Sequence, residues 1–218
     1  MPTYSLTYQE EGSEVRIYES SANLRQGCGV IVIKPLEQAQ KDNDSIRAVI
    51  AGSGINQDGR TPGITMPCGD AQGELHEEKS WKKTPPLTLI LESLMRQVYR
   101  NAGISPRDCG FVEAHGTGTR VGDPIEATAL HNMFGEGRTA RDPLFIGSVK
   151  SNIGHLEGAS GIVAVIKAAL MLERGFVLPN YDFKHPNEKI PFKEWNMKVG
   201  EKSHYRPQRI HANKNRYP

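Results

Sequence analysis

Two short apolar runs, GFVEAH at 110–115 and PLFIGSV at 143–149, each lead through a turn into a stretch with helical patterning. This alternation restricts the fold more than any other feature. Strand, helix, strand, helix, strand is the pattern of a layered domain, so the expected class is α/β. After the first run, Asp123-Pro124-Ile125-Glu126 reads as a helix start. Asp123 can accept from an early helical amide, Pro124 has no N–H to leave unpaired, and Glu126 stands at capping-box spacing. After the second run, a helix is expected over 158–174, with Ile162, Val165, Ile166, Ala169 and Leu170 on its core face and Gly175 ending it. FVLPN at 176–180 can return as one more strand.

Upstream, CGVIVIK at 28–34 and IRAVIAGSGIN at 46–56 read as buried strands joined by a polar hairpin or short crossover. Leu87, Ile90, Leu91, Leu94 and Val98 recur at steps of three and four, which makes a helix with Pro85 and Pro86 in its first turn and Gly103 at its C-cap. The expected organisation is a poorly patterned segment over 1–26, one domain over 27–200 and a basic irregular tail over 201–218, with the polar, irregular character already beginning beyond Pro186. The charged, aperiodic stretch 73–86 interrupts the domain as a surface insertion or translated intron.

Composition narrows the class further. The 27 Lys and Arg nearly balance the 25 Asp and Glu, which argues against nucleic acid or a membrane surface as a partner. Residues 181–218 hold nine basic and four acidic side chains, a surface suited to solvent or to an acidic partner. Cys28, Cys68 and Cys109 are odd in number and widely spaced, which fits neither a disulfide framework nor a metal site and points to a reducing, cytoplasmic setting. The N-terminus lacks an apolar signal core, and no apolar run approaches the roughly 18 residues of a membrane span.

Chemistry concentrates where strands end and helices begin. His115 closes the first run and enters GTGTRVGD, where glycines admit a ligand close to the backbone and Thr117 and Thr119 offer hydroxyls. Lys150 closes the second run, and His155 follows it before the next helix. Two imidazoles converging from adjacent strand ends can stabilise an enolate or tetrahedral oxyanion and exchange a proton near neutral pH, with Lys150 adding a fixed positive charge. Taken singly, each has an ordinary reading: a structural strand-end histidine, a solvated lysine, loop hydroxyls. Glu113 and Glu157 then read as surface acids, and His76, His131, His185, His204 and His211 carry no role.

VEAHGTGTRVGDPIEATAL and IGSVKSNIGHLEGASGIVAVIKAALMLE, in that order, resemble the two histidine motifs of the β-ketoacyl synthase (ketosynthase) domain of type I polyketide synthases. GCGVIVIKPL and IRAVIAGSGINQDGRTPGITMP resemble the segment just upstream, so the likeness runs from about Tyr18 to Trp195. The resemblance implies an incomplete thiolase-like fold, the end of its first half and most of its second. It implies decarboxylative Claisen condensation on carrier-protein thioesters, in secondary metabolism. His115 and His155 would promote malonyl decarboxylation and hold the thioester carbonyl, Lys150 would support them, and Thr117 and Thr119 would face the phosphopantetheine arm of an acyl carrier protein.

The family's nucleophilic cysteine motif, similar to DTACSSS, does not occur in these 218 residues, and RPQRIHANKNRYP stands where the family has its gating loop. The expectation is therefore a truncated ketosynthase fragment, inactive in acyl transfer and condensation when alone though residual malonyl decarboxylation is allowed, whose partners are a carrier protein or a synthase subunit, with a homodimer allowed. The alternative is a non-catalytic protein that binds a carrier protein or synthase through the basic tail and the Thr117 and Thr119 surface. A third reading, an anion or nucleotide site at 154–161, lacks both the Walker lysine and the GxGxxG pattern.

Overall fold

The computed structural model of the chain describes residues 25–56, 87–181, 183–200 and 203–205. Its centre is a parallel sheet. Strand β1 (Phe111–Glu113) pairs with β2 (Leu144–Gly147), and β2 pairs with β4 (Met197–Val199), in the order β1-β2-β4. The crossover from β1 to β2 is helix α3 (Gly122–Phe134), and α2 (Leu87–Ala102) packs along α3. Alternation on β2 sends Leu144 and Ile146 into the core, where they meet Ala127, Leu130, Met133 and Phe134 of α3. Tyr99 of α2 meets Phe134 edge to face, with ring centroids 5.3 Å apart. Gly103 (φ 61°) and Gly175 (φ 69°) end α2 and α5 (Ser160–Arg174) in the left-handed conformation that helix termination favours.

Several expectations need correction. Residues 28–34 and 46–56 run extended but form no ladder among the described residues. They lie over helices instead: a Cβ on Gly29 would meet Ile162, and one on Gly54 would meet Leu94 and Val98, at 2.6–2.8 Å. Most of their apolar side chains are left exposed, and Val32 and Ile55 are each 94% exposed. The joining residues include a helix, α1 (Leu36–Lys41), rather than a hairpin turn.

Helix α3 starts at Gly122, because the Thr119 hydroxyl takes the Gly122 N–H at 3.0 Å. Asp123 is thus inside the first turn, 1% exposed, and is not the cap. Helix α5 starts at Ser160, preceded by a 3-10 turn over Glu157–Ala159. Its expected core face is only partly covered, since Val165 and Leu170 are exposed while Lys167 and Met171 are buried. Of FVLPN, only β3 (Phe176–Val177) is a strand, antiparallel to β5 (His204–Tyr205) in the stretch expected to be irregular. β4 is likewise a regular strand beyond Pro186, with Met197 in the core. Pro85, Pro86, the stretch 73–86, Cys68, the segment 1–24 and the tail beyond Tyr205 lie outside the described residues. No described helix is long and apolar enough to cross a membrane.

Candidate active site

β1 and β2 end side by side because they pair in register, Glu113 opposite Gly147. The chain leaving β1 is therefore bound to open beside the chain leaving β2. His115 follows β1, with part of the residue open to solvent. Its backbone is fixed by Glu126, whose two carboxylate oxygens accept the N–H groups of His115 (2.7 Å) and Gly116 (3.0 Å). Glu126, expected in a capping box, instead ties α3 to this loop. Ser148, fully buried, donates to the His115 carbonyl at 3.5 Å, and its own N–H goes to Asn180 Oδ1 at 3.0 Å.

Lys150 begins α4 (Lys150–Ile153), a single turn after β2. Burial lowers its ammonium pKa, and the carboxylates of Glu113 and Glu126 act in the opposite direction. The His115 imidazole is also lowered from its ordinary value, first by burial, then by the charge on Lys150, with Glu126 opposing. The ring is accordingly neutral at pH 7 and can donate one N–H and accept at the other nitrogen.

Gly154 (φ 75°) reverses the chain after α4 and delivers His155, half-buried. The two imidazoles meet edge to face with centroids 5.7 Å apart and planes at 88°. His155 Nδ1 accepts the Glu157 N–H at 3.0 Å and lies 3.2 Å from Ser160 Oγ. A backbone amide can only donate, so the proton of the neutral ring resides on Nε2.

Thr117 and Thr119 share the loop after His115, where Gly116 (φ 51°) and Gly118 (φ 83°) adopt positive φ. Thr117 is half-buried, and Thr119 Oγ1 is engaged by the Gly122 amide. Thus His115, His155 and Lys150 gather at the ends of β1 and β2, with the threonine loop following His115. Neither described cysteine has a thiol in this group. Cys109 is in the approach to β1 and donates to the Phe111 carbonyl at 3.4 Å, and Cys28 is exposed beside Leu156 and Glu157 in an open cleft.

Glu113 is not a surface acid. Its side chain is 8% exposed and forms a 2.7 Å ion pair with Lys167 of α5, itself 8% exposed, while its other oxygen accepts the Val149 N–H. Burial raises the Glu113 pKa, with Lys167 opposing. A lone lysine in the apolar stretch 161–171 was the available sign of this pair. Ser160 and Asn180 gave no comparable sign. His131 stacks on Trp195 at 4.4 Å, a core contact away from the pair.

Residues 47–184 match the sequence profile of the β-ketoacyl synthase C-terminal domain. Over 174 residues the chain is 55% identical to highly-reducing polyketide synthase 1 of Aureobasidium melanogenum and 51% identical to reducing polyketide synthase PKS1 of Cochliobolus heterostrophus. Each alignment covers 80% of this chain but only 7% and 6% of those relatives. Among solved structures, the ketosynthase from module 6 of the bacillaene synthase of Bacillus subtilis 168 superposes with a TM-score of 0.65 at 37% identity, over 82% of this chain and 28% of that one. The oxazolomycin ketosynthase domain OzmH KS7 of Streptomyces albus superposes at 0.62 and 28% identity. These are thiolase-like folds, matched here over their C-terminal part. With more than half of its residues inside the family profile, the chain belongs to the β-ketoacyl synthase family, as a C-terminal ketosynthase domain of the polyketide synthase type.

Proposed function

We propose that this chain supplies the histidine half of a polyketide-forming condensation: decarboxylation of a malonyl thioester and attack of the resulting enolate on an acyl thioester. The observation that supports this most directly is the 5.7 Å approach of two imidazoles, one with its proton assigned to Nε2. As the bond to the malonyl carboxylate breaks, its electron pair moves into the thioester and charge develops on the carbonyl oxygen. Carbon dioxide leaves. N–H donors from His155 and His115 stabilise that oxygen, preorganised by Glu126, Ser148 and the turn at Glu157. The enolate carbon then either takes a proton or attacks an acyl thioester and expels a thiolate. Lys150 keeps the site electropositive.

Thr117 and Thr119 are the proposed contacts for the pantetheine arm of a carrier-protein substrate, on a loop whose glycines bring the backbone close. Acyl transfer needs a thiolate nucleophile. No cysteine of the chain is assigned that role, so condensation requires a ketosynthase polypeptide that carries it, and the 218 residues alone are proposed not to condense.

Incubated with malonyl-carrier protein, the chain is expected to leave acetyl-carrier protein, detected by intact-protein mass spectrometry, and His115→Ala and His155→Ala are each expected to lose about 10²-fold or more in rate, the usual effect of deleting an oxyanion donor. Adding acyl-carrier protein is expected to give no ketoacyl product until the thiol-bearing ketosynthase polypeptide is supplied. Decarboxylation that does not depend on the histidines would overturn this reading.

A further inference from the structure

We propose that Ser160 is a positioning residue for His155, closing a strained turn so that the imidazole proton stays on Nε2. The turn runs from Leu156 to Ser160. The Leu156 N–H donates to Ser160 Oγ at 3.0 Å, and the same oxygen lies 3.2 Å from His155 Nδ1. Because the Leu156 amide can only donate, it occupies a lone pair of the hydroxyl and leaves the O–H to point at Nδ1. The Glu157 N–H, at 3.0 Å, points at the same nitrogen, so the two donors share its single in-plane lone pair, and together they rule out a proton there. One serine thus satisfies a backbone amide and the imidazole at once.

The backbone gives a second, independent reason for a clamp. Glu157 has φ 49°, in the left-handed region that non-glycine residues avoid. Such a conformation persists only where its surroundings over-determine it. The Glu157 side chain is exposed and does not hold it. Ser160 can: it is 8% exposed and is the first residue of the 15-residue helix α5, so its hydroxyl is a fixed point against which the turn closes. Without it, the turn relaxes away from φ 49° and the Glu157 amide leaves Nδ1 together with the hydroxyl. Both donors that specify the tautomer depend on one side chain.

The geometric claim stands without the proposed activity; only its consequence for rate rests on that reading. The test uses the whole 218-residue chain with ¹⁵N-labelled histidine, the His155 signals being assigned by their loss in His155→Gln. The intact chain is expected to show His155 as one tautomer, protonated at Nε2. Ser160→Ala is expected to move both ring nitrogens toward the tautomer average, while Ser160→Thr, which keeps a hydroxyl, restores the original positions. If Ser160→Ala does not fold, Ser160→Cys, a weaker donor, is expected to give intermediate shifts. An Ala or Cys variant indistinguishable from the intact chain overturns the proposal. Loss of histidine-dependent decarboxylation with an unchanged tautomer would sink the clamp and spare the proposed function; a shifted tautomer without any decarboxylation in the intact chain would do the reverse.

Discussion

Asp123 occupies the first turn of α3, 1% exposed, with one carboxylate oxygen lacking a hydrogen-bond partner. Burial pushes its pKa from the ordinary 3.8 up to about 8, against the pull of backbone hydrogen bonds from Thr119 and Gly118. The folded chain therefore holds this proton more tightly than the unfolded one. The contribution to stability is fully present below about pH 3.8 and is lost as pH rises toward 8, at about 1.4 kcal/mol per pH unit. Asp123→Asn removes the titration while keeping the shape. Its melting temperature is expected to match that of the parent only below about pH 4, to exceed it by a few degrees near pH 5, and to exceed it by roughly 10 °C or more near pH 9. Parallel melting curves across that range would show that Asp123 is not the group responsible. The sequence could not reveal this burial, because Asp123 as the cap of a helix beginning at Pro124 would be solvated, whereas the helix begins two residues earlier, at Gly122, whose N–H the Thr119 hydroxyl takes.

At the scale of elements, Glu113 on β1 and Lys167 on α5 join the strand that leads to His115 to the helix that follows His155. The Lys167 ammonium also lies 5.4 Å from the Phe111 ring. Removing one member of a buried pair strands the other charge, so Lys167→Met is expected to cost about 3–5 kcal/mol in chemical denaturation. The double variant Glu113→Gln with Lys167→Met leaves no charge behind, and glutamine can still accept the Val149 N–H, so it is expected to recover most of that loss. Equal destabilisation of single and double variants would mean that packing, rather than stranded charge, sets the cost. β1, β2 and the end of α5 were legible because periodicity, glycine and strand length agreed over 110–115, 143–149 and 160–175. The stretches 28–34 and 46–56 have as strong an apolar pattern, yet pattern reports only what a side chain avoids and says nothing of a hydrogen-bonded neighbour. The site shows the same division. His115, His155 and Lys150 could be picked out by type and place, whereas Glu126, Ser148 and Ser160 act through bonds to backbone atoms that no spacing encodes.

Viewed as a whole, the described residues carry an uncommon amount of apolar surface. Val30, Val32, Ile33, Ile50 and Ile55 on the extended stretches are 59–94% exposed, and Val165, Leu170 and Leu172 of α5 are 43–52% exposed. Monomeric proteins seldom show such residues contiguously, and each Å² of apolar area left in water forgoes about 25 cal/mol. The penalty falls on solubility rather than on the fold, because these side chains contribute little to the core and their removal takes little from it. Val32→Ser with Ile55→Ser is therefore expected to change folding free energy by no more than about 0.5 kcal/mol, the ordinary range for surface positions. The same pair should lower both the fluorescence of a bound hydrophobic dye and the light scattering of concentrated solutions. A large loss of stability in that variant would instead mean that 28–34 and 46–56 are buried in the molecule as it exists in solution. The site would then be supported from a side that the helices α2 and α5 do not provide, and His155, whose carbonyl accepts the Arg25 N–H at 2.9 Å, would be coupled to that cover through the residues just before the first of those stretches.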